Sequence, residues 1–237
     1  MAVADLHIHS ALSACAENIL GPELIVREAV RKGIDMLAVT DHNTGLQTAV
    51  VARRAAADGI TVLPAMELTT REEVHLLAYL PDLDALASLQ KRVDAALPPL
   101  PNRDDFYGLQ LLYDEHGDIV DVDQNLRQTA LSLSLSELVQ AVHDLGGLAV
   151  PAHVFRSAFS LTSQLGFIDA SEPFDGLEVS ASTRRARQLE PGDRLQSFRV
   201  ICGSDAHVKE DIGRNTFELS GTPDLRRLAA WLREDGQ

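Results

Sequence analysis

Val3-Ala4-Asp5-Leu6-His7-Ile8-His9 decides the reading of this chain: an apolar run that ends on two histidines two positions apart. Strand geometry puts Asp5, His7 and His9 on one face, so both imidazoles can grip one ion and Asp5 can orient an imidazole. Other apolar runs end in the same way. Residues 36–40 lead into Asp41 and His42, 61–66 into Glu67, 148–152 into His153, and 198–202 into Gly203-Ser204-Asp205-Ala206-His207. His75 sits in a further alternating run at 73–80, which reads as a half-exposed strand. Six of the eight histidines fall in these runs, a concentration that scattered surface histidines would not give.

Between the runs lie amphipathic stretches that predict helices. One covers 22–32, with Pro22 in its first turn and Gly33 as its stop; others cover 46–57, 83–97 and 224–234. A capping box at Ser134-Leu135-Ser136-Glu137 starts another, to about 145. Alternating strands and helices are the pattern of repeated βα units, whose strand ends share one rim where chemistry collects. The pattern breaks at Pro98-Pro99-Leu100-Pro101-Asn102, and a β-hairpin around Asp114-Glu115-His116-Gly117-Asp118 follows. The expected organisation is one α/β domain over 1–237, with an inserted hairpin-containing segment at about 98–133.

Composition narrows the partners. A length of 237 residues, with 45% hydrophobic and 24% charged residues, suits one well-buried globular domain. A net charge of −14 argues against long DNA or RNA as ligand, since polyanion binding depends on lysine and arginine. A small phosphorylated substrate or short nucleotide stays compatible, because bound divalent cations reverse the local field. No run approaches the roughly 18 apolar residues of a membrane span. The first strand begins almost at Met1, which leaves no leader ahead of His7 and His9, and the expected location is cytoplasmic. Two cysteines are too few for a disulfide framework.

Carboxylates and imidazoles gathered at strand ends suit divalent transition metals, and several such metals suit phosphoester hydrolysis. Asp41 reads either as a turn cap or as a ligand or ligand-orienting group. Cys15, in the loop after His9, reads as a thiolate ligand or a buried thiol. Arg156 and Arg184 follow predicted strands and are candidate phosphate clamps. Glu178 supports the site or faces solvent. His116 and His143 read as a turn residue and a helix-surface residue.

In combination and order, Asp5-x-His7-x-His9, Thr40-Asp41-His42, Glu67, His75, Pro151-Ala152-His153 and Gly203-Ser204-Asp205-Ala206-His207 resemble the PHP (polymerase and histidinol phosphatase) family, over about 3–215. The resemblance implies a distorted (β/α)7 barrel, two or three divalent ions (manganese, zinc or iron) and phosphoesterase activity on monoesters or diesters. Carried over by motif, His7, His9, Glu67 and Asp205 hold one metal, and Glu67, His75 and His153 a second. His42 and His207 hold a third. Many members have an Asp or His where this chain has Cys15, and a soft thiolate there favours zinc or iron. The expected mechanism is attack by a hydroxide bridging two cations roughly 3.5–4 Å apart. Glu67, Asp205 and His207 are the catalytic candidates, the last two for protonating the leaving oxygen. Two other classes compete: a catalytically silent metal-binding or interaction module, and an amidohydrolase-type C–N hydrolase. Many of the latter use a bridging lysine, and no lysine ends a predicted strand here.

Overall fold

The computed structural model describes residues 1–234. In chain order its elements begin with β1 (Ala2–Ile8), α1 (Pro22–Lys32), β2 (Met36–Val39), α2 (Thr48–Ala56), β3 (Thr61–Leu63), β4 (Ala65–Thr69) and β5 (His75–Tyr79). Then come α3 (Leu83–Ala96), α4 (Asp104–Tyr107), β6 (Leu111–Tyr113), β7 (Ile119–Val122), α5 (Leu135–Asp144) and β8 (Leu148–Pro151). The last are α6 (Leu161–Gln164), β9 (Leu177–Val179), α7 (Ala181–Arg187), β10 (Arg194–Leu195), β11 (Phe198–Cys202), β12 (Phe217–Leu219) and α8 (Leu225–Arg233).

Local chemistry sets the helix boundaries. Pro22 occupies the first turn of α1, where its missing N–H costs no helical bond. Gly33 closes that helix at φ 67°, its N–H returning to the carbonyls of Ala29 and Val30. At α5, Ser134 Oγ accepts from Glu137 N at 3.3 Å and Glu137 Oε2 accepts from Ser134 N at 2.8 Å. Both orphan donors are thereby satisfied.

The strands form four small sheets, ordered β12-β1-β2-β3, β10-β11-β9, β4-β5-β8 and β6-β7. The fold is thus mixed α/β, and the described strands make no continuous closed barrel. Single parallel rungs join sheet edges, Ile8 to Ala206 and His42 to Glu67. The expected βα alternation holds for β1-β2-β3 and for β9-β11, which pair in parallel. It fails in the middle, where β5 runs antiparallel to both β4 and β8. As the central strand of that sheet, β5 is buried along its whole length rather than half-exposed. The hairpin expected within 98–133 is present as β6 and β7.

The core has three parts. Ala4, Leu6, Met36, Ala65, Leu77, Tyr79, Val150, Ala152 and Ile201 pack together on strand faces that point at one another. Outside the strands, α3 and α5 cover one flank through Leu89, Val93, Leu138 and Val142. On another, α1 and α2 bring Ile25, Val26, Val51 and Ala55 against Ile8 and Leu37. Tyr79, wholly buried, donates its hydroxyl to Leu6 O at 3.1 Å. Truncating Leu6 to alanine would cost about 2–5 kcal/mol and leave a void in this inner layer. No helix of the described residues is long and apolar enough to cross a membrane.

Candidate metal centre

Each segment delivers its side chains to one point. His7 and His9 leave one face of β1 with Nε2 atoms 3.3 Å apart. His42 follows β2, His75 opens β5, and His153 follows β8 with a positive φ of 32°. Glu67 stands within β4 rather than past a strand end, pinned by the rung to His42. Its carboxylate is the hub. Oε1 lies 2.9 Å from His75 Nδ1, 3.3 Å from His153 Nε2 and 3.4 Å from His7 Nε2. Oε2 lies 3.0 Å from His42 Nδ1 and 3.4 Å from His9 Nε2. Asp205 Oδ1 completes the ring at 3.3 Å from Nε2 of both His7 and His9.

A second layer fixes the imidazoles. Glu178, 1% exposed, takes His7 Nδ1 at 3.0 Å on one oxygen and His153 N at 2.8 Å on the other. This leaves His7 Nε2 for the centre. Ser13 Oγ does the same for His9, 3.0 Å from its Nδ1. Asp41 holds Ser13 Oγ at 2.7 Å, Ser10 N at 2.8 Å and Ser10 Oγ at 2.6 Å, so both its oxygens are engaged away from the cluster. Asp41 thereby positions Ser13 and, through it, the His9 imidazole. Gly203 fits only as glycine: a Cβ there would meet Glu178 Oε1 at 2.4 Å and His7 Cβ at 2.5 Å.

Two expectations are corrected. Asp5 does not orient an imidazole; its oxygens accept from Ser204 N at 2.9 Å and Gly213 N at 2.7 Å, tying β1 to the last motif. Burial nevertheless pushes its carboxyl up to about 6. Arg184 lies in a separate cavity of about 390 Å³ with Arg185 and Arg214, paired to Glu190 and to Asn215 Oδ1, away from the histidines. Its candidacy as a phosphate clamp of this site loses its geometric basis. Arg156 does reach the mouth, donating to Asp205 Oδ2 at 3.1 Å. Sequence reading missed Ser10, Ser13 and Asn43. The last accepts Thr69 N at 2.9 Å and donates to Arg127 O at 2.7 Å and Thr129 O at 2.8 Å, tying the 98–133 segment to the site wall. His116 lies in the β6–β7 turn, and His143 pairs with Asp175 at 2.8 Å, both outside the centre.

The electrostatics are those of a crowded buried cluster. Burial opposes the Glu67 charge, but His75, His7 and His42 outweigh it and hold the carboxyl well below the usual range. Burial drives the His75 imidazole down to about 4 and His9 down as well. At His42 burial is overcome by Glu67, and its value rises to about 10. Cys15 sits at the mouth with His42 and His207; although the residue is exposed, crowding around its sulfur raises the thiol, and hydrogen bonds from those histidines outweigh this and bring it to about 6.

The donor set fits divalent cations. Among the described residues, both Glu67 oxygens, His42 Nδ1, His75 Nδ1 and both ring nitrogens of His153 are buried without a well-formed hydrogen bond. Each such orphan costs about 1–3 kcal/mol, more when charged, unless something satisfies it. Three ligand triads each bring their donor atoms within 4.8 Å of one another: His7-His9-Glu67, His42-Glu67-His75 and His9-His42-His207. Above them opens a cavity of about 370 Å³, lined by Arg156, Phe159, Gln128, Glu73, His207 and others, with no lysine among them. Two larger clefts, of about 730 and 640 Å³, have no such convergence of imidazoles.

The fold and the cluster around Glu67 agree with the resemblance to the PHP family carried by the sequence motifs. No family model matches it. It is 25% identical to the uncharacterized protein YqxK of Bacillus subtilis, the match covering 91% of this chain and 57% of that protein. It is 21% identical to a "Probable phosphatase" of Acetivibrio thermocellus, over 90% of this chain and 82% of the relative. Its fold superposes on the lesion-specific endonuclease PfuEndoQ of Pyrococcus furiosus with a TM-score of 0.69 at 17% identity, covering 98% of this chain and 56% of that one. The chain thus spans little more than half the length of two of these proteins.

Proposed function

We propose that the chain is a metal-dependent phosphoesterase acting on a small phosphate ester or short nucleotide. One observation carries this reading: a buried carboxylate, Glu67, with both oxygens orphaned among imidazoles delivered by four separate segments. Hydrogen bonding alone does not explain so many convergent acceptors; two shared cations do. The phosphatase and endonuclease among the compared proteins support the same chemistry, both being named for phosphoester hydrolysis. We also read the strand circuit β1, β2, β4, β5, β8, β9 and β11 as a distorted (β/α)7 barrel forming one domain, with 98–133 inserted over its rim.

His7, His9, Glu67 and Asp205 would hold one cation, and Glu67, His75 and His153 a second, with His42 beside Glu67. When bound, the cations supply Lewis acidity to a water and neutralise charge on the ester oxygens. The protein's own groups then do the rest. Glu178 and Ser13 keep His7 and His9 aimed inward. Arg156, half-exposed and steadied by Asp205, offers guanidinium N–H groups to a non-bridging oxygen. Asp205 stays ionised: burial opposes this, but His7 and His9 hold its carboxyl far below the usual range. The proton for the leaving oxygen is therefore assigned to His207, whose Nδ1 lies 2.8 Å from Asp205 O, so that Nε2, beside the Cys15 thiol, is the nitrogen that would carry it. A third cation, held by His9, His42 and His207 beside Cys15, would take that nitrogen instead.

The test is manganese-dependent hydrolysis of p-nitrophenyl phosphate and bis-p-nitrophenyl phosphate in parallel, with Glu67→Gln as control. Turnover that the variant lacks is expected, and the preferred ester separates monoesterase from diesterase. No turnover with either ester in folded, metal-loaded protein would move the weight to a non-catalytic metal-binding module.

A further inference from the structure

Phe159 is held in an unfavourable conformation at the mouth of the centre. Its φ is +56°, a left-handed geometry that a bulky residue rarely adopts without a compensating role, and such residues cluster at ligand clamps. The surrounding loop over-determines it. His75 N donates to Phe159 O at 3.0 Å, and the next residue, Ser160, caps α6 while its hydroxyl donates to Arg156 O at 2.7 Å. The ring stacks on His75, centroids 4.8 Å apart and planes 16° from parallel. Yet the residue is 39% exposed and lines the 370 Å³ cavity. One face of the ring thus rests on an imidazole assigned to the metal centre, while the residue stays partly open to the cavity.

Its neighbours define the rest of the compartment. Arg156, three residues earlier on the same loop, donates to Asp205 on the side assigned to the phosphate. The same cavity is lined by Gln128, Thr129 and Ala130 of the 98–133 segment, anchored through Asn43. Gln128 is half-buried and its amide has no partner among the described residues, so it offers a donor and an acceptor to the edge of a ligand. A partly exposed aromatic ring, a free amide and a guanidinium within one cavity match an ester that is charged at one end and flat at the other.

We infer that Phe159 is a stacking wall for a planar ring on the alcohol side of the ester, so that the site selects phosphoesters of ring-bearing alcohols over aliphatic ones. This rests on the phosphoester reading above and narrows its substrate class. Stacking a ring on an aromatic side chain is worth about a tenfold change in affinity or more.

The experiment is calorimetric binding of two non-hydrolysable phosphonates, benzylphosphonate and cyclohexylmethylphosphonate, to the metal-loaded protein. They share charge and size and differ in ring planarity. Wild type should bind the benzyl compound about tenfold more tightly. Phe159→Leu, which keeps apolar bulk, should erase that preference while leaving the cyclohexyl affinity and the melting temperature in place, and Phe159→Tyr should retain it. Equal binding of the two by wild type, or a preference that survives Phe159→Leu, would overturn the stacking wall and leave the phosphoester reading intact. Binding of neither compound would strike at the phosphoester reading itself, and the wall with it.

Discussion

The floor of the centre and its mouth are built on opposite rules. On the floor, His7, His9, His42, Glu67, His75 and His153 are all at most 5% exposed, and outer partners fix several of them. At the mouth, Asp205 and His207 are partly exposed and Arg156 half-exposed, while Cys15 and Phe159 are open to solvent. Buried polar atoms carry a cost that cations can repay, so the floor is specified by ligand chemistry. Exposed groups have water as an alternative partner, so the mouth is free to be specified by substrate. The contrast predicts that floor substitutions act through metal content and mouth substitutions through substrate affinity.

Glu67→Gln should show the largest effect. Replacing one oxygen of the hub by an amide that cannot be ionised should remove both shared cations, with a loss of activity of about 10³-fold or more. Gly203→Ala and Glu178→Gln come next. The first forces Glu178 off His7, the second weakens its grip, and loss of such orienting partners typically costs about 10–100-fold in metal affinity. Metal titration followed by calorimetry checks both; unchanged affinity in both would mean that Glu178 is merely a buried carboxylate.

Arg156→Ala should raise KM about tenfold with bound metal unchanged, the signature of lost substrate binding at the mouth. A fall in metal content would instead place Arg156 in the support of Asp205. The smallest effect is expected at the cysteines. The Cys15 thiol, brought to about 6, is mostly thiolate at pH 7, so its alkylation should rise through about pH 6 and level off near neutrality. Cys202, buried in β11 with its thiol pushed up to about 12, should stay unmodified in folded protein. Mass spectrometry after brief iodoacetamide treatment reads both. Protection of Cys15 by added zinc would favour a third cation beside His42 and His207.

How much of this was legible follows the same division. The ligands stood out in the sequence because histidine and carboxylate at the ends of apolar runs are chemically unusual, and β1, β2 and β11 fold as read. Glu178 could be read two ways, as site support or as a solvated residue, since Leu177-Glu178-Val179 alternates as any half-solvated strand would and its partner His7 is far away in sequence. Asp5 shared a face with the histidines, but Ser204 N and Gly213 N, contributed by the far end of the chain, claim its oxygens. The antiparallel β4-β5-β8 sheet was illegible because a strand's residues do not declare the direction of its neighbours. Arg184 misled because nothing in its immediate motif says that Glu190, six residues on, closes over it. Phe159 gave no signal at all: backbone strain is a property of the folded loop.

The most direct test of the account is the metal content of wild type and Glu67→Gln, purified identically, equilibrated with manganese or zinc and analysed by mass spectrometry alongside a thermal melt. The account predicts at least two equivalents in wild type and the loss of both shared ions in a variant that stays folded. A folded Glu67→Gln protein holding the wild-type complement would contradict it.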